Sequence, residues 1–223
     1  MNPRCSKQRN RALTLLEVVV VIAGLVVLAA IFLPSLAGGN HHSPHIACLN
    51  NLKQIGLAYR IWAGDHHDKY PMQVSLADGG VKELFDQNTP FSQFVCLNYI
   101  VMTNELSTPK ILRCPADTHG VIATNFSSTF NDANISFFAN PDADQMSPQM
   151  ILSGDDNFAI GDVPVNSGIL NLSTNTPIAW TTERHHKAGN IGLADGSAQQ
   201  LTTTGLQQAF QRSGTNTIRL AIP

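Results

Sequence analysis

A run of 16 apolar residues near the N-terminus, 18–33 (VVVVIAGLVVLAAIFL), constrains this chain more than any other feature. Together with 13–17 it gives 21 residues before Pro34. At about 1.5 Å per residue a helix of that length spans about 31 Å, close to a hydrocarbon core of about 30 Å. Residues 1–12 carry Arg4, Lys7, Arg9 and Arg11 and no acid. Positive charge ahead of an apolar span orients that end to the cytoplasm. The chain from about residue 38 onwards then lies on the other side of the membrane, which argues against a cytosolic globular protein.

Two plainer readings compete. A cleaved secretory signal has an apolar stretch of about 7–15 residues, shorter than this one. Its small-residue cleavage site has only Leu36-Ala37-Gly38 as a candidate. A plain signal anchor leaves Glu17 without a purpose, because a carboxylate in a membrane helix costs about 2–3 kcal/mol. An acid at the edge of such a span needs a reason, and a cation on another chain is one.

The heptapeptide Arg11-Ala12-Leu13-Thr14-Leu15-Leu16-Glu17 resembles the type IV prepilin processing motif, a basic leader followed by Gly, Phe, Thr, Leu, Ile and Glu. The resemblance implies a cut by prepilin peptidase between Ala12 and Leu13 and methylation of the new Leu13 amine. Glu17 becomes the fifth mature residue. Pro34 becomes the twenty-second, where pilins commonly place a helix-kinking proline. Ala12 stands in place of the usual Gly and Leu13 in place of the usual Phe. The family's assembly logic, carried over, has Glu17 meet the Leu13 amine of a neighbouring subunit. That pairing lowers the cost of burying either charge and fixes axial register.

Beyond the span the sequence reads as a water-soluble domain. The formal net charge of −2 predicts no nucleic-acid partner. Charged residues make up 13% of the chain, about half the usual 25%, and Asn, Gln, Ser and Thr take over the surface role. Gly38, Gly39 and Asn40 interrupt the first helix. Ser43-Pro44 can restart it, with Ser at the N-cap and Pro at the first helical position. Leu49, Leu52, Ile55, Tyr59 and Trp62 then recur at helical spacing. Residues 81–85 and 90–102 can hold helices, and 206–212 a short one. Strand candidates are 111–113, 135–138, 150–153, 178–180, 190–194 and 197–201. Asp195-Gly196 between the last two is a two-residue hairpin signal. Helix first and strands later predicts α+β: a transmembrane helix and a spine helix packed on a small antiparallel sheet, in the manner of a pilin. The expected divisions are a leader (1–12), a transmembrane helix (13–37), a hinge and spine helix (38–70) and an extracytoplasmic domain (71–223).

A second resemblance rests on segments in the middle and the C-terminal part, so that the two together cover most of the chain. The segment Cys48-Leu49-Asn50-Asn51-Leu52-Lys53-Gln54-Ile55-Gly56-Leu57-Ala58 resembles one shared by pseudopilin-like proteins of planctomycete and verrucomicrobial type. His185, nine residues, then Asp195-Gly196 is similar to the H-X9-DG element at the C-terminal end of such proteins. Cys114-Pro115-Ala116-Asp117 looks like another piece of them. The expectation is a pseudopilin-like structural subunit of the inner membrane with a periplasmic C-terminal domain, built into a type II secretion or type IV pilus-like filament. Its implied partners are prepilin peptidase, other pseudopilin subunits and an inner-membrane assembly platform. The alternative is a membrane-anchored extracytoplasmic domain that binds a ligand or metal.

Residues with chemical potential are weighed separately. The eight histidines, His41, His42, His45, His66, His67, His119, His185 and His186, carry no His-Glu-x-x-His or Cys-x-x-Cys pattern and read as surface residues. Asp155, Asp156 and Asp162 are weak calcium candidates, because Asp also dominates plain turns; no cofactor is expected otherwise. His185 with Asp195 is the one candidate acid/base pair, and Ser153 the one candidate nucleophile. Neither belongs to a recognisable catalytic pattern, so no enzymatic activity is expected. Cys5 falls in the leader. Of Cys48, Cys96 and Cys114, the shorter loop favours a Cys96–Cys114 disulfide, although sequence does not fix connectivity and an all-reduced trio is the alternative.

Overall fold

The computed structural model of the chain describes residues 15–37, 43–86 and 94–223. It divides into two compact units, Met1–His42 and Ser43–Pro223.

The first unit contains helix α1 (Leu15–Ala37). Its described side chains run from Leu15 to Leu28, and every one is exposed. Among the described residues no helix is long and apolar enough to cross a membrane. The expected span over 13–37 begins before the described residues, and within it the described side chains are those of 15–28. The leader, the cut at Ala12 and Leu13, and the hinge at 38–42 lie outside the described residues. Pro34 falls within α1 but past its described side chains.

The second unit is α+β. Helix α2 (Ser43–Asp65) begins at the Ser-Pro pair that the sequence marks. Its Cys48, Leu52, Ile55, Tyr59 and Trp62 are buried on one face. Each large apolar side chain so covered contributes about 1.5–3 kcal/mol. Short helices α3 (Lys82–Asp86), α4 (Phe94–Ile100) and α5 (Thr103–Leu106) follow. The expectation of a strand at 111–113 fails: Pro109–Leu112 is a 3-10 turn. Thr108 caps it by accepting from the Lys110 amide, and Pro109 at its first position pre-sets the helical φ.

The main sheet has six antiparallel strands: β1 (Phe137–Ala139), β2 (Ile151–Asp155), β5 (Gly168–Ser173), β7 (Ala188–Leu193), β8 (Ala198–Thr202) and β9 (Thr217–Ile222). Their spatial order is β5-β9-β1-β2-β7-β8. A second sheet holds β3 (Phe158–Ile160), β4 (Val163–Pro164) and β6 (Ile178–Trp180), with β3 in the middle. Helix α6 (Thr203–Arg212) starts where the Thr202 hydroxyl accepts from the Gly205 amide.

The period of two along each strand divides the apolar residues between two cores. Phe137, Ala139, Leu152 and Ala221 join α2. Phe138, Ile151, Ile191, Leu193 and Leu220 join Leu206 and Phe210 of α6 and Trp180 of the small sheet. The six-stranded sheet is therefore covered on both faces. The β7–β8 turn is the expected Asp195-Gly196 hairpin, and Gly196 takes φ +82° there. Arg60 of α2 donates to the Asp195 carbonyl at 2.9 Å, and Tyr70 donates to the Ala194 carbonyl at 2.6 Å. These bonds tie the hairpin to the spine.

Candidate metal centre

Four segments that are remote in sequence meet where α2 crosses the sheet. Cys48 comes from the buried face of α2, and Cys114 follows the 3-10 turn. Asp155 ends β2, and His185 lies in the turn that feeds β7. One ligand atom from each lies within 4.8 Å of all the others. Among the described residues this is the one group of three or more potential ligands that converges in this way.

The contacts are specific. Cys48 Sγ donates to Asp155 Oδ1 at 3.0 Å. Cys114 Sγ lies 3.2 Å from His185 Nε2, and that nitrogen lies 3.7 Å from Asp155 Oδ2. The backbone amide of Asn190 and its Nδ2 both donate to Asp155 Oδ2, at 2.7 and 2.9 Å. The carboxylate is thus held by one oxygen while the other faces Cys48. His45, from the first turns of α2, stacks on the His185 ring with centroids 4.2 Å apart.

The backbone that delivers His185 is unusual. His185, His186 and Lys187 have φ of 53°, 52° and 65°. A left-handed conformation costs an L-residue roughly 1–2 kcal/mol. Three in a row persist only where surrounding contacts over-determine them.

A buried ion network borders the cluster. Arg184 places Nη2 2.8 Å from Asp117 Oδ2 and Nη1 2.5 Å from Asp156 Oδ1. Asp117 also takes Arg113 at 3.1 Å and accepts from the Ser136 hydroxyl at 2.6 Å. Burial tends to raise the Asp117 carboxyl, but Ser136, the His119 amide, Arg184 and Arg113 outweigh it and hold the carboxyl below its ordinary range. Burial pushes Asp156 up to about 7 against the pull of Arg184. Burial would lower Arg184, yet Asp156 and Asp117 raise it, so the guanidinium stays charged.

Inside the cluster, burial raises the Cys48 thiol strongly. Burial also lifts Asp155 to about 6, against the hydrogen bonds from Cys48 and Asn190. Burial and then the neighbouring His45, Arg184 and His186 bring His185 down to about 4. The imidazole is neutral at pH 7, the form that ligates metals. The donor set of two sulfurs, one nitrogen and one oxygen suits a borderline-soft ion such as zinc better than calcium or magnesium.

Several sequence expectations are revised. Among the described residues no disulfide joins Cys48, Cys96 and Cys114, so the Cys96–Cys114 pairing is absent. Cys114 faces Cys48 and His185, whereas burial and the Asp132 carboxylate raise Cys96 to about 12 at a different place. The calcium candidates do not converge: Asp155 turns to Cys48 and Asn190, Asp156 to Arg184, and Asp162 sits in the β3–β4 turn at φ +68°. His185 and Asp195 are not brought together. They lie at opposite ends of β7, and the Asp195 carboxylate accepts from the Ser197 amide within its own turn. Ser153 is buried in β2.

The other histidines scatter. His66 stacks on Trp62 and bonds its carbonyl at 2.8 Å, beside a cleft of about 530 Å³ that Ser75 and Glu83 help to line. His119 is exposed near Asp117, and His41 and His42 lie outside the described residues. Reading the histidines as surface residues missed His185. The signal was its company of two cysteines and a buried aspartate, which sequence spacing does not reveal.

The geometry does not favour catalysis by Cys114 and His185. Both Cys114 and Asp155 approach the same ring nitrogen, so Asp155 does not orient the imidazole through its far side as a triad acid does. No family model matches this chain, and neither does any curated protein or solved structure.

Proposed function

We propose that the chain is a pseudopilin-like structural subunit: inserted in the inner membrane, cut by prepilin peptidase between Ala12 and Leu13, and built into a type II secretion or type IV pilus-like filament. Its work is polymerisation rather than turnover. The observation that carries the reading is α1. From Leu15 to Leu28 all its described side chains are exposed, and Glu17 is the one charged residue among them. An apolar surface of this kind requires cover. Lipid supplies it before assembly, and the corresponding helices of other copies supply it afterwards.

Glu17 then acts as the register pin. In a bundle of such helices its carboxylate meets the amine that processing exposes on a neighbour's Leu13. Burying an acid alone in that bundle is costly, whereas burying it against a cation is much less so. The α+β unit, in which a 23-residue helix packs on an antiparallel sheet, supplies the subunit's outer surface. The periplasmic placement of that unit rests on the basic residues of the leader.

Crosslinking of the native protein in its own membrane tests the proposal. A ladder of homo- or hetero-oligomers that collapses in Glu17→Gln is the predicted result. A lone monomer at every crosslinker length contradicts it and favours a tethered, independent domain.

A further inference from the structure

We infer that Cys48, Cys114, Asp155 and His185 form a closed, structural zinc site that clasps α2 to the sheet. The inference does not depend on the filament reading.

The first argument is geometric. Zinc bonds of about 2.0–2.3 Å in a tetrahedron give ligand-to-ligand edges of about 3.3–3.8 Å. The separations found are 3.0 Å for Cys48 to Asp155 Oδ1, 3.2 Å for Cys114 to His185 and 3.7 Å for His185 to the other oxygen, Asp155 Oδ2. All six edges lie within 4.8 Å. The four atoms already lie close together, and side-chain shifts of up to about 1 Å would bring them to tetrahedral spacing.

The second argument is chemical. Two thiols, an imidazole and a carboxylate are four ligands of three types, and zinc takes all three. As a hydrogen-bonded group they are a poor way to fill a core, because thiols are weak donors and weak acceptors. Such a set in the interior has a cause other than packing.

The third argument is the surrounding shell. Ligating carboxylates and imidazoles are held by outer partners that fix their orientation. Asn190 holds Asp155 with two donors, and the three left-handed residues starting at His185 aim the ring inward over a stacked His45. Zinc with two thiolates and one carboxylate carries a net −1, and the Arg184 guanidinium acts on Asp155 from the adjoining network. On binding, each thiol loses its proton to solvent and the imidazole enters neutral, so at least two protons are released per zinc.

The fourth argument is closure. The His185 and Asp155 side chains are 2% and 0% exposed, and both cysteines are 0% exposed. Four protein ligands and no open position describe a structural site, not a catalytic one and not a carrier that hands its ion on. The ligands come from α2, from the loop after the 3-10 turn, from β2 and from the turn before β7, so the ion joins four segments at one place.

The test uses the full-length chain purified in detergent. Metal analysis should give one zinc per chain. Refolding with cobalt in place of zinc should give the thiolate-to-cobalt charge-transfer absorption of a two-sulfur site. Cys48→Ser and Cys114→Ser should each lose the stoichiometric metal, whereas Cys96→Ser should keep it. If the first two variants do not fold, the cobalt spectrum of the unsubstituted chain still reports thiolate ligation. Two results overturn the inference: a mass lower by two hydrogens with a Cys48–Cys114 peptide link, which makes the pair a disulfide, or free thiols with no metal after refolding in excess zinc.

Discussion

Cys114 Sγ and His185 Nε2 stand 3.2 Å apart although 71 residues separate them in the chain. The imidazole reaches that place only because the turn before β7 winds to the left through His185, His186 and Lys187. Glycine adopts that conformation without the steric cost that an L-residue incurs. Lys187→Gly should therefore raise stability by about 1 kcal/mol, read as a higher urea midpoint at unchanged slope. A right-handed or extended turn in solution would reverse the sign, because glycine then only adds entropy to the unfolded chain.

Gly196 at the tip of the β7–β8 hairpin should not tolerate a side chain. Its φ is +82°, and a Cβ there would come within 2.9 Å of Arg60 Cδ. Arg60 is flexible and can withdraw, so most of the cost is backbone strain. Gly196→Ala should lose about 1–2 kcal/mol, and Gly196→Asn less, because Asn accepts the left-handed region more readily. Equal losses in the two variants would move the cause from backbone to packing.

Gly189 in β7 lies under Trp180. A Cβ would meet three carbons of the indole at 2.6 Å, and Trp180 is itself buried. Overpacking a site of this kind costs about 1–3 kcal/mol. Gly189→Ala should lower the melting temperature and alter the near-ultraviolet circular dichroism as the indole shifts. An unchanged spectrum would mean that the ring does not lie on the strand.

Asp117 links stability to acid. Its folded pKa lies below that of the unfolded chain, where a free Asp titrates near about 3.9. The unfolded state then binds more protons over that window, and stability rises with pH across it. The contribution is complete above about pH 4 and is lost as pH falls through the folded pKa. Asp117→Asn should cost about 3–5 kcal/mol at pH 7, because Arg113 and Arg184 lose a buried partner. It should also flatten the acid limb of the urea midpoint against pH. A variant with the same acid limb as the unsubstituted protein would remove Asp117 as its source.

The parts of the fold that were legible in the sequence are those with strong local chemistry. Ser43-Pro44 marks the start of α2, Asp195-Gly196 marks the hairpin, and 178–180 matches β6 residue for residue. Strands β5 and β9 were missed although Leu170 and Leu172 alternate, as do Ile218, Leu220 and Ile222. Asn171, Ser173 and Arg219, which alternate with these residues, dilute the apolar signal, and the pairing of β5 with β9 joins segments far apart in the chain. Residues 111–113 read as a strand because Ile and Leu are apolar neighbours, but the Thr108-Pro109 pair ahead of them starts a turn.

The candidate centre was legible only in pieces. The Cys48 segment, Cys114-Pro115-Ala116-Asp117 and the His185 element each stand out in the sequence, and Asp155 is a weak calcium candidate there. Nothing in their spacing says that they meet, because each rides on a different element. Tertiary packing of α2 over β2 and β7 makes the site.

The account turns most directly on the mature N-terminus. Intact-protein and peptide mass spectrometry of the membrane fraction should find the chain beginning at Leu13 with a methylated amine. A population that keeps Met1 and residues 2–12 would contradict processing, and with it the filament subunit.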